Sequence, residues 1–252
     1  MPEARAAQRN AEYYARLQPG RADYWRKMAA PRHRLKTLLA LLGERPPRRL
    51  VDLGCGDGTL LEEIRRRHPA SELCGVDLSP EQIRANALRA ADVEWLAADL
   101  ERPDSLGGVR REHFDAVIAS ELIEHLDNPP ALLLSARALA TPGARLLLST
   151  QSGPVRATER HVGHHRHYEK REIEELLRGA GWLPLRVWNC GFPFHDLSKW
   201  LANLDPDASL RRFGEARYGP VENLACLGLR VLFQLNSQSR GAQLYALAER
   251  AA

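Results

Sequence analysis

The segment Val51-Asp52-Leu53-Gly54-Cys55-Gly56-Asp57-Gly58-Thr59-Leu60 constrains this chain more than any other. It reads as a short apolar strand, a turn holding three glycines, and the first turn of a helix. Glycine tolerates positive φ and lets the backbone come close to a ligand, while a helix N-terminus offers free N–H groups at the positive end of its dipole. Such a loop is built to bind something. A dinucleotide fingerprint would place glycines at 54, 56 and 59, but position 59 is Thr and the third glycine stands at 58, which disfavours a pyrophosphate.

Strand and helix signals alternate after this loop. Strands are expected at 50–53, 72–77, 93–98, 114–120, 145–150, 183–188 and 243–248. Helices are expected at 58–68, 80–91, 130–140 and 169–180, and before the loop at 3–17 and 22–42. The run 114–120 is apolar on both faces, as a strand in the middle of a parallel sheet must be. The expected class is α/β with a Rossmann-like, doubly wound parallel sheet. Its divisions are an N-terminal helical part (1–45), a ligand-binding core (46–190), and a helical insertion with the final strand (191–252). At 252 residues and 44% hydrophobic content the chain can bury a large core.

Two classes are excluded. The apolar stretch 224–235 is broken by Arg230 and falls short of the roughly 20 residues needed to span a bilayer. The opening MPEARAAQRN has no apolar signal core, so a cytoplasmic location is expected. Cys55, Cys74, Cys190 and Cys226 form no CxxC pair and read as reduced thiols.

In its glycine spacing and in the motifs of the later strands, the chain resembles the class I S-adenosylmethionine (SAM) methyltransferases over residues 48–182. The likeness is to their small-molecule, ubiquinone-biosynthesis-like branch. Asp52 precedes the loop as that family's acidic residue does, where it helps hold the methionine end. Asp77, closing Gly75-Val76-Asp77-Leu78-Ser79, matches the carboxylate that takes both ribose hydroxyls. Asp99, in Ala97-Ala98-Asp99-Leu100, matches the side chain beside the adenine amino group. The resemblance implies a seven-stranded sheet with a helical lid, SAM as cofactor and S-adenosylhomocysteine as product. It implies a cofactor site of Asp52, Gly54, Cys55, Gly56, Gly58, Asp77, Leu78, Asp99, Leu100 and Ser120.

The segment Ser120-Glu121-Leu122-Ile123-Glu124-His125 resembles the start of the acceptor site in that branch. If 121–126 make a helical turn, Glu121, Glu124 and His125 share a face. The later loop His161-Val162-Gly163-His164-His165-Arg166-His167-Tyr168 concentrates four of nine histidines. Each histidine alone could be a packed support, but the cluster sits where an acceptor would lie. A histidine of near-neutral pKa can take a proton from a hydroxyl or amine. His125 and His164 are the catalytic candidates, and Tyr14, Tyr24, Trp25, His165, His167, Phe192 and Phe194 are the candidate acceptor contacts.

Glu121, Glu124, His125 and His164 can also be laid over the metal-binding pattern of small-RNA 3'-terminal 2'-O-methyltransferases. The same turn and loop occur in metal-free relatives, so no metal is expected, and the RNA enzyme stays an alternative, as does a SAM-binding protein without turnover. Residues 1–50 carry 12 Lys and Arg against 4 Asp and Glu. This block is read as a solvated lid face, with a small-molecule acceptor expected and no specific nucleic acid. The insertion could also dock a second subunit, forming a homodimer.

Overall fold

A computed structural model describes residues 22–43, 46–214 and 217–251. Tyr14 and the expected helix 3–17 lie outside them. Seven strands form one sheet: β1 (Arg49–Leu53), β2 (Glu72–Asp77), β3 (Glu94–Ala97), β4 (Phe114–Ser120), β5 (Ala140–Gln151), β6 (Trp182–Cys190) and β7 (Gln243–Arg250). Their order is β3-β2-β1-β4-β5-β7-β6.

The expectation of a wholly parallel sheet is corrected. Pairings among β1 to β5 are parallel, but β7 runs antiparallel to both β5 and β6. The register supplies the reason. Cys190, ending β6, pairs with Gln243, beginning β7, so the chain leaves and re-enters the sheet at one end and must reverse, as in a hairpin with a helical loop. Leu244, Tyr245, Ala246 and Ala248 are all buried. A strand covered on both faces looks the same in sequence whichever way it runs.

The helices follow their local signals. α1 (Ala22–Lys27) and α2 (Ala29–Gly43) divide at Met28, where a single helix was expected. α3 (Thr59–Arg67) follows the glycine loop. α4 (Pro80–Arg89) is capped by Ser79, whose side chain accepts from the Gln82 N–H. α5 (Pro129–Leu139), α6 (Ala157–His161) and α7 (Lys170–Gly179) follow β4 and β5, while α8 (Phe194–Ala202), α9 (Pro206–Ser209) and α10 (Pro220–Leu232) form the insertion.

Alternate residues of each central strand face opposite layers. Val51, Leu53, Val117 and Leu148 join Ile173, Leu177 and Trp182 on one side. Leu50, Ile118, Leu147 and Tyr245 join Leu38, Leu42, Leu61 and Ile64 on the other. Burying this apolar surface on both faces is the main favourable term holding the sheet.

Two glycines let the ligand loop settle on the sheet. A Cβ at Gly75 would lie 2.5 Å from Trp95 Cζ3, and one at Gly58 would lie 2.8 Å from Trp95 Cη2. The indole of β3 therefore fills the space both leave, and its Nε1 donates to the Ala90 carbonyl at 2.9 Å. The insertion packs back over the N-terminal helices, with Phe233 edge-on to His33 and His195. Among the described residues no helix is long and apolar enough to cross a membrane. All four cysteines are free and buried.

Candidate active site

The loop 54–58 crosses the carboxyl ends of β1 and β2. Gly54 and Cys55 donate their N–H groups to the Val76 carbonyl, at 2.8 and 3.0 Å. Gly54, Gly56 and Gly58 have φ of 75°, 51° and 75°, a region costly for residues with a Cβ. A Cβ at Gly56 would meet nothing within 4 Å, so the loop's outer side is open to a ligand there. Gly58, which precedes α3, caps it with no side-chain bond.

Asp77, ending β2, accepts the Gly56 N–H on Oδ2 at 2.9 Å and the Ser79 N–H on Oδ1 at 3.0 Å. Burial raises its carboxyl and these donors oppose the rise. Each oxygen keeps lone-pair capacity for a hydroxyl donor. Asn86 of α4 donates to the Gly56 carbonyl at 2.8 Å and fixes the loop from below. Asp52 is 2% exposed, and burial followed by the nearby Asp77 pushes its carboxyl well above the ordinary range. Asp99 accepts the Glu101 N–H at 3.0 Å on Oδ1. Leu100 turns its side chain into the core and so offers a ligand only its backbone.

A second cluster lies beyond β4 and β5. Glu121 has φ 51° and does not share a helical face with its neighbours; the turn is a short 3-10 helix over Ile123–His125. That corrects the expected shared face, because i, i+3 and i+4 spacing aligns side chains only where every residue is helical. Glu121 instead bonds across the site. Its Oε2 lies 3.3 Å from Arg34 Nη1 of α2 and accepts from Gln151 Nε2 at 2.7 Å. Burial pushes the Glu121 carboxyl up, but Arg34, Gln151 and Lys199 outweigh it and hold it below the usual value.

Glu124 is fully buried. Its Oε2 accepts from Thr150 Oγ1 at 2.8 Å, and its Oε1 has no hydrogen-bond partner. Burial, then the charge on Glu121, raises its carboxyl well above the ordinary range. The His125 and His164 rings stand edge to face, 4.7 Å apart. Burial lowers His125 to about 4 and His164 to about 2, so both imidazoles are neutral at physiological pH, which corrects the near-neutral pKa expected of them: desolvation makes each a weaker base than a free imidazole. Ligand atoms of Glu124, His125 and His164 lie within 4.8 Å of one another, close enough to surround a cation, while the fourth residue of the expected pattern, Glu121, is held by Arg34.

The other sequence candidates fall at several places in the fold. His167 is inside it, His165 is exposed and tied through its backbone N–H to the Glu124 carbonyl, and Ser120 pairs its hydroxyl with Ser149 at 2.9 Å. Tyr24 is half-buried on α1, and Trp25 lies on the same helix with its side chain outside the described residues. Phe192 is exposed and Phe194 half-buried at the start of α8. Leu78 is half-buried beside Asp77, and Cys55 is buried within the loop.

Sequence reading missed Arg34, Glu159, Gln151 and Lys199 as site residues. Lys199 of α8 lies 2.5 Å from Glu159 Oε1 and donates to Gln151 Oε1 at 3.0 Å. One signal was present. Arg34 falls in the same stripe as Pro31, Leu35, Leu38, Leu39 and Leu42, all buried, where a cation is out of place unless it has a partner.

The family profile described as a methyltransferase domain matches residues 24–187. A malonyl-[acyl-carrier protein] O-methyltransferase of Anoxybacillus flavithermus is 28% identical over 196 residues, 77% of this chain and 69% of its own length. A ubiquinone biosynthesis O-methyltransferase of Alkalilimnicola ehrlichii is 31% identical over 46% of this chain, and the match spans less than half of that relative, 47%. The N-methyltransferase NodS of Bradyrhizobium japonicum WM9, solved with S-adenosyl-L-homocysteine, superposes with a TM-score of 0.60 at 16% identity, covering 99% of this chain and 100% of that one. That last likeness carries the fold. With the profile covering well over half its length, this chain belongs to the methyltransferase domain family and is a class I SAM-dependent methyltransferase.

Proposed function

We propose that the chain methylates a hydroxyl oxygen of a small metabolite. The observation that carries this reading is the charge state of the second cluster. Its two cations, buried Arg34 and half-buried Lys199, are already paired with Glu121 and Glu159, and its imidazoles are neutral. Such a site receives a neutral acceptor with a proton to give up, and a carboxylate would lack a cation to meet it. The A. flavithermus and A. ehrlichii relatives are both named as O-methyltransferases, in keeping with transfer to oxygen, and the malonyl group named for the first is the carboxylate case that the test below separates from a hydroxyl.

The sulfonium of SAM supplies an electrophilic methyl group. The protein's part is to hold both partners in line and to remove a proton. Asp77 takes the ribose hydroxyls, the Gly54–Gly58 loop with Asp52 and Ser120 faces the methionine end, and Asp99 with the Leu78 and Leu100 backbones flanks the adenine. α1, α2 and α8 cover the acceptor side and keep water out, with Tyr24, Phe194 and His165 at its rim. Methyl-labelled SAM offered with a catechol, a malonyl thioester, a primary amine and a short RNA tests the reading. Label in the catechol supports it, and label in the amine, the thioester carboxylate or an RNA 3' end overturns it.

Asp77→Ala should weaken S-adenosylhomocysteine binding by about 1.5 to 3 kcal/mol, as expected for losing hydrogen bonds to a charged group. The loop also loses the acceptor of the Gly56 N–H, so the cost should fall at the upper end. Calorimetry reads it; unchanged affinity in a folded variant removes Asp77 from the site.

Glu124, His125 and His164 act here as hydrogen-bonding and proton-accepting groups, with no metal required. Chelator treatment followed by buffer exchange should leave catechol methylation within about twofold, whereas removing the ion from a catalytic metal site would abolish its charge stabilisation outright. Activity lost on chelation and restored by a single added ion would overturn this part of the reading.

A further inference from the structure

Two histidines share the acceptor side, and their hydrogen bonds differ in kind. His125 Nδ1 lies 3.1 Å from the Gly163 carbonyl. A carbonyl only accepts, so His125 carries its hydrogen on Nδ1. His167 Nδ1 lies 3.0 Å from the Gly153 carbonyl, which places its hydrogen there for the same reason. The Nε2 of neutral His167 is then an acceptor, and it lies 3.1 Å from His164 Nδ1. His164 must therefore donate from Nδ1, which leaves the lone pair on its Nε2.

We propose, on the reading that this cluster faces the acceptor, that His164 takes the acceptor's proton and that His167 is the positioning residue that fixes its tautomer and receives the proton from its far side. As the acceptor's O–H bond breaks and its O–CH3 bond forms, that proton joins His164 Nε2 and the Nδ1 proton moves to His167 Nε2. The positive charge given up by the donor ends on His167. The Nδ1 of His125 meets a carbonyl instead, and a carbonyl cannot carry a proton away.

The surroundings of His167 suit a transient cation. Glu159 Oε2 lies 3.8 Å from its Nε2, and the His167 side chain is 1% exposed. Glu159 is itself held by the Arg156 N–H at 2.7 Å and by Lys199 at 2.5 Å, so it is oriented before any charge arrives. Burial and Lys199 disfavour a charged His167 while Glu159 favours it. The ring is thus neutral at rest and has an anion at hand when the proton comes.

The test is imidazole nitrogen NMR on uniformly 15N-labelled protein, with His164 and His125 assigned by their own Gln variants. In the wild type His164 should be protonated on Nδ1. His167→Gln keeps an acceptor oxygen near the same place and should retain that tautomer, whereas His167→Phe removes the acceptor and should shift His164 to the Nε2-protonated form. An Nε2-protonated His164 in the wild type overturns the proposal, as does an unchanged tautomer in His167→Phe. If the Phe variant does not fold, loss of the Nδ1 tautomer in the Gln variant overturns it instead. The two readings fail separately: wild-type catechol turnover in His164→Gln removes the proton role, and a wrong tautomer in an active wild type removes the positioning by His167.

Discussion

His164→Gln should lower methyl transfer to a catechol by about 100- to 10,000-fold, the range over which one positioned general base contributes. Gln matches the imidazole in reach and offers an amide that can bond, but it has no nitrogen lone pair that accepts a proton at neutral pH. The structure sets a contrast within the same cluster. His125, whose Nδ1 donates to the Gly163 carbonyl, can orient the acceptor, but that carbonyl cannot pass a proton onward. His125→Gln should therefore cost about tenfold, in line with losing one hydrogen bond. S-adenosylhomocysteine affinity should stay near wild type in both, because neither residue lies in the Gly54–Gly58 loop or on Asp77. Initial rates with calorimetry on the same samples check this. Equal losses in the two variants would contradict the division of roles, and a large loss of cofactor binding in either would place that histidine on the wrong side.

Arg34→Met should destabilise the fold by about 3 to 5 kcal/mol at pH 7.5, the cost of breaking a buried ion pair from one side. Arg34 is 8% exposed, and its partner Glu121 also accepts from Gln151. The methionine fills much of the volume, so the loss reports the stranded carboxylate more than a cavity. The pH dependence comes from the direction of the shift. In the wild type the Glu121 carboxyl is held below its unfolded value, so its contribution is present above the ordinary carboxylate range and is lost as pH falls through the folded pKa. Without Arg34 burial dominates, the carboxyl rises, and protonation relieves the variant on acidification. The gap between variant and wild type should narrow from pH 7.5 to 5.5 in urea unfolding. Arg34→Met with Glu121→Gln removes both charges and should recover most of the loss. A single variant as stable as wild type at pH 7.5 would mean that the pair does not bind α2 to the site.

Much of the glycine loop and the carboxylate beside it was legible because their determinants are local. Glycines at 54, 56 and 58 take positive φ, and Asp77 stands at the end of β2 where the strand pattern puts it. A strand, a tight turn and a helix start are specified within ten residues by steric limits and hydrogen-bonding need. The histidine cluster was legible in residue type but not in geometry. His125, His164 and His167 were marked as a cluster, and they do meet. The helical face expected to carry Glu121, Glu124 and His125 failed, because it assumed helical backbone at a residue whose φ is 51°, although the Glu121 charge still acts on both neighbours.

The sequence by itself determined the alternation of strands and helices, the glycine loop with its carboxylate, and hence the family, since each depends on contacts over a few residues. The direction of β7, the Arg34–Glu121 pair and the Glu159–Lys199 pair beside His167 were decided only by tertiary structure. Arg34 meets a partner 87 positions away and Lys199 one 40 positions away. No periodicity encodes which buried cation finds which carboxylate. That is settled when the sheet and the two helical segments around it close over the site and every charge taken from water must find an opposite one.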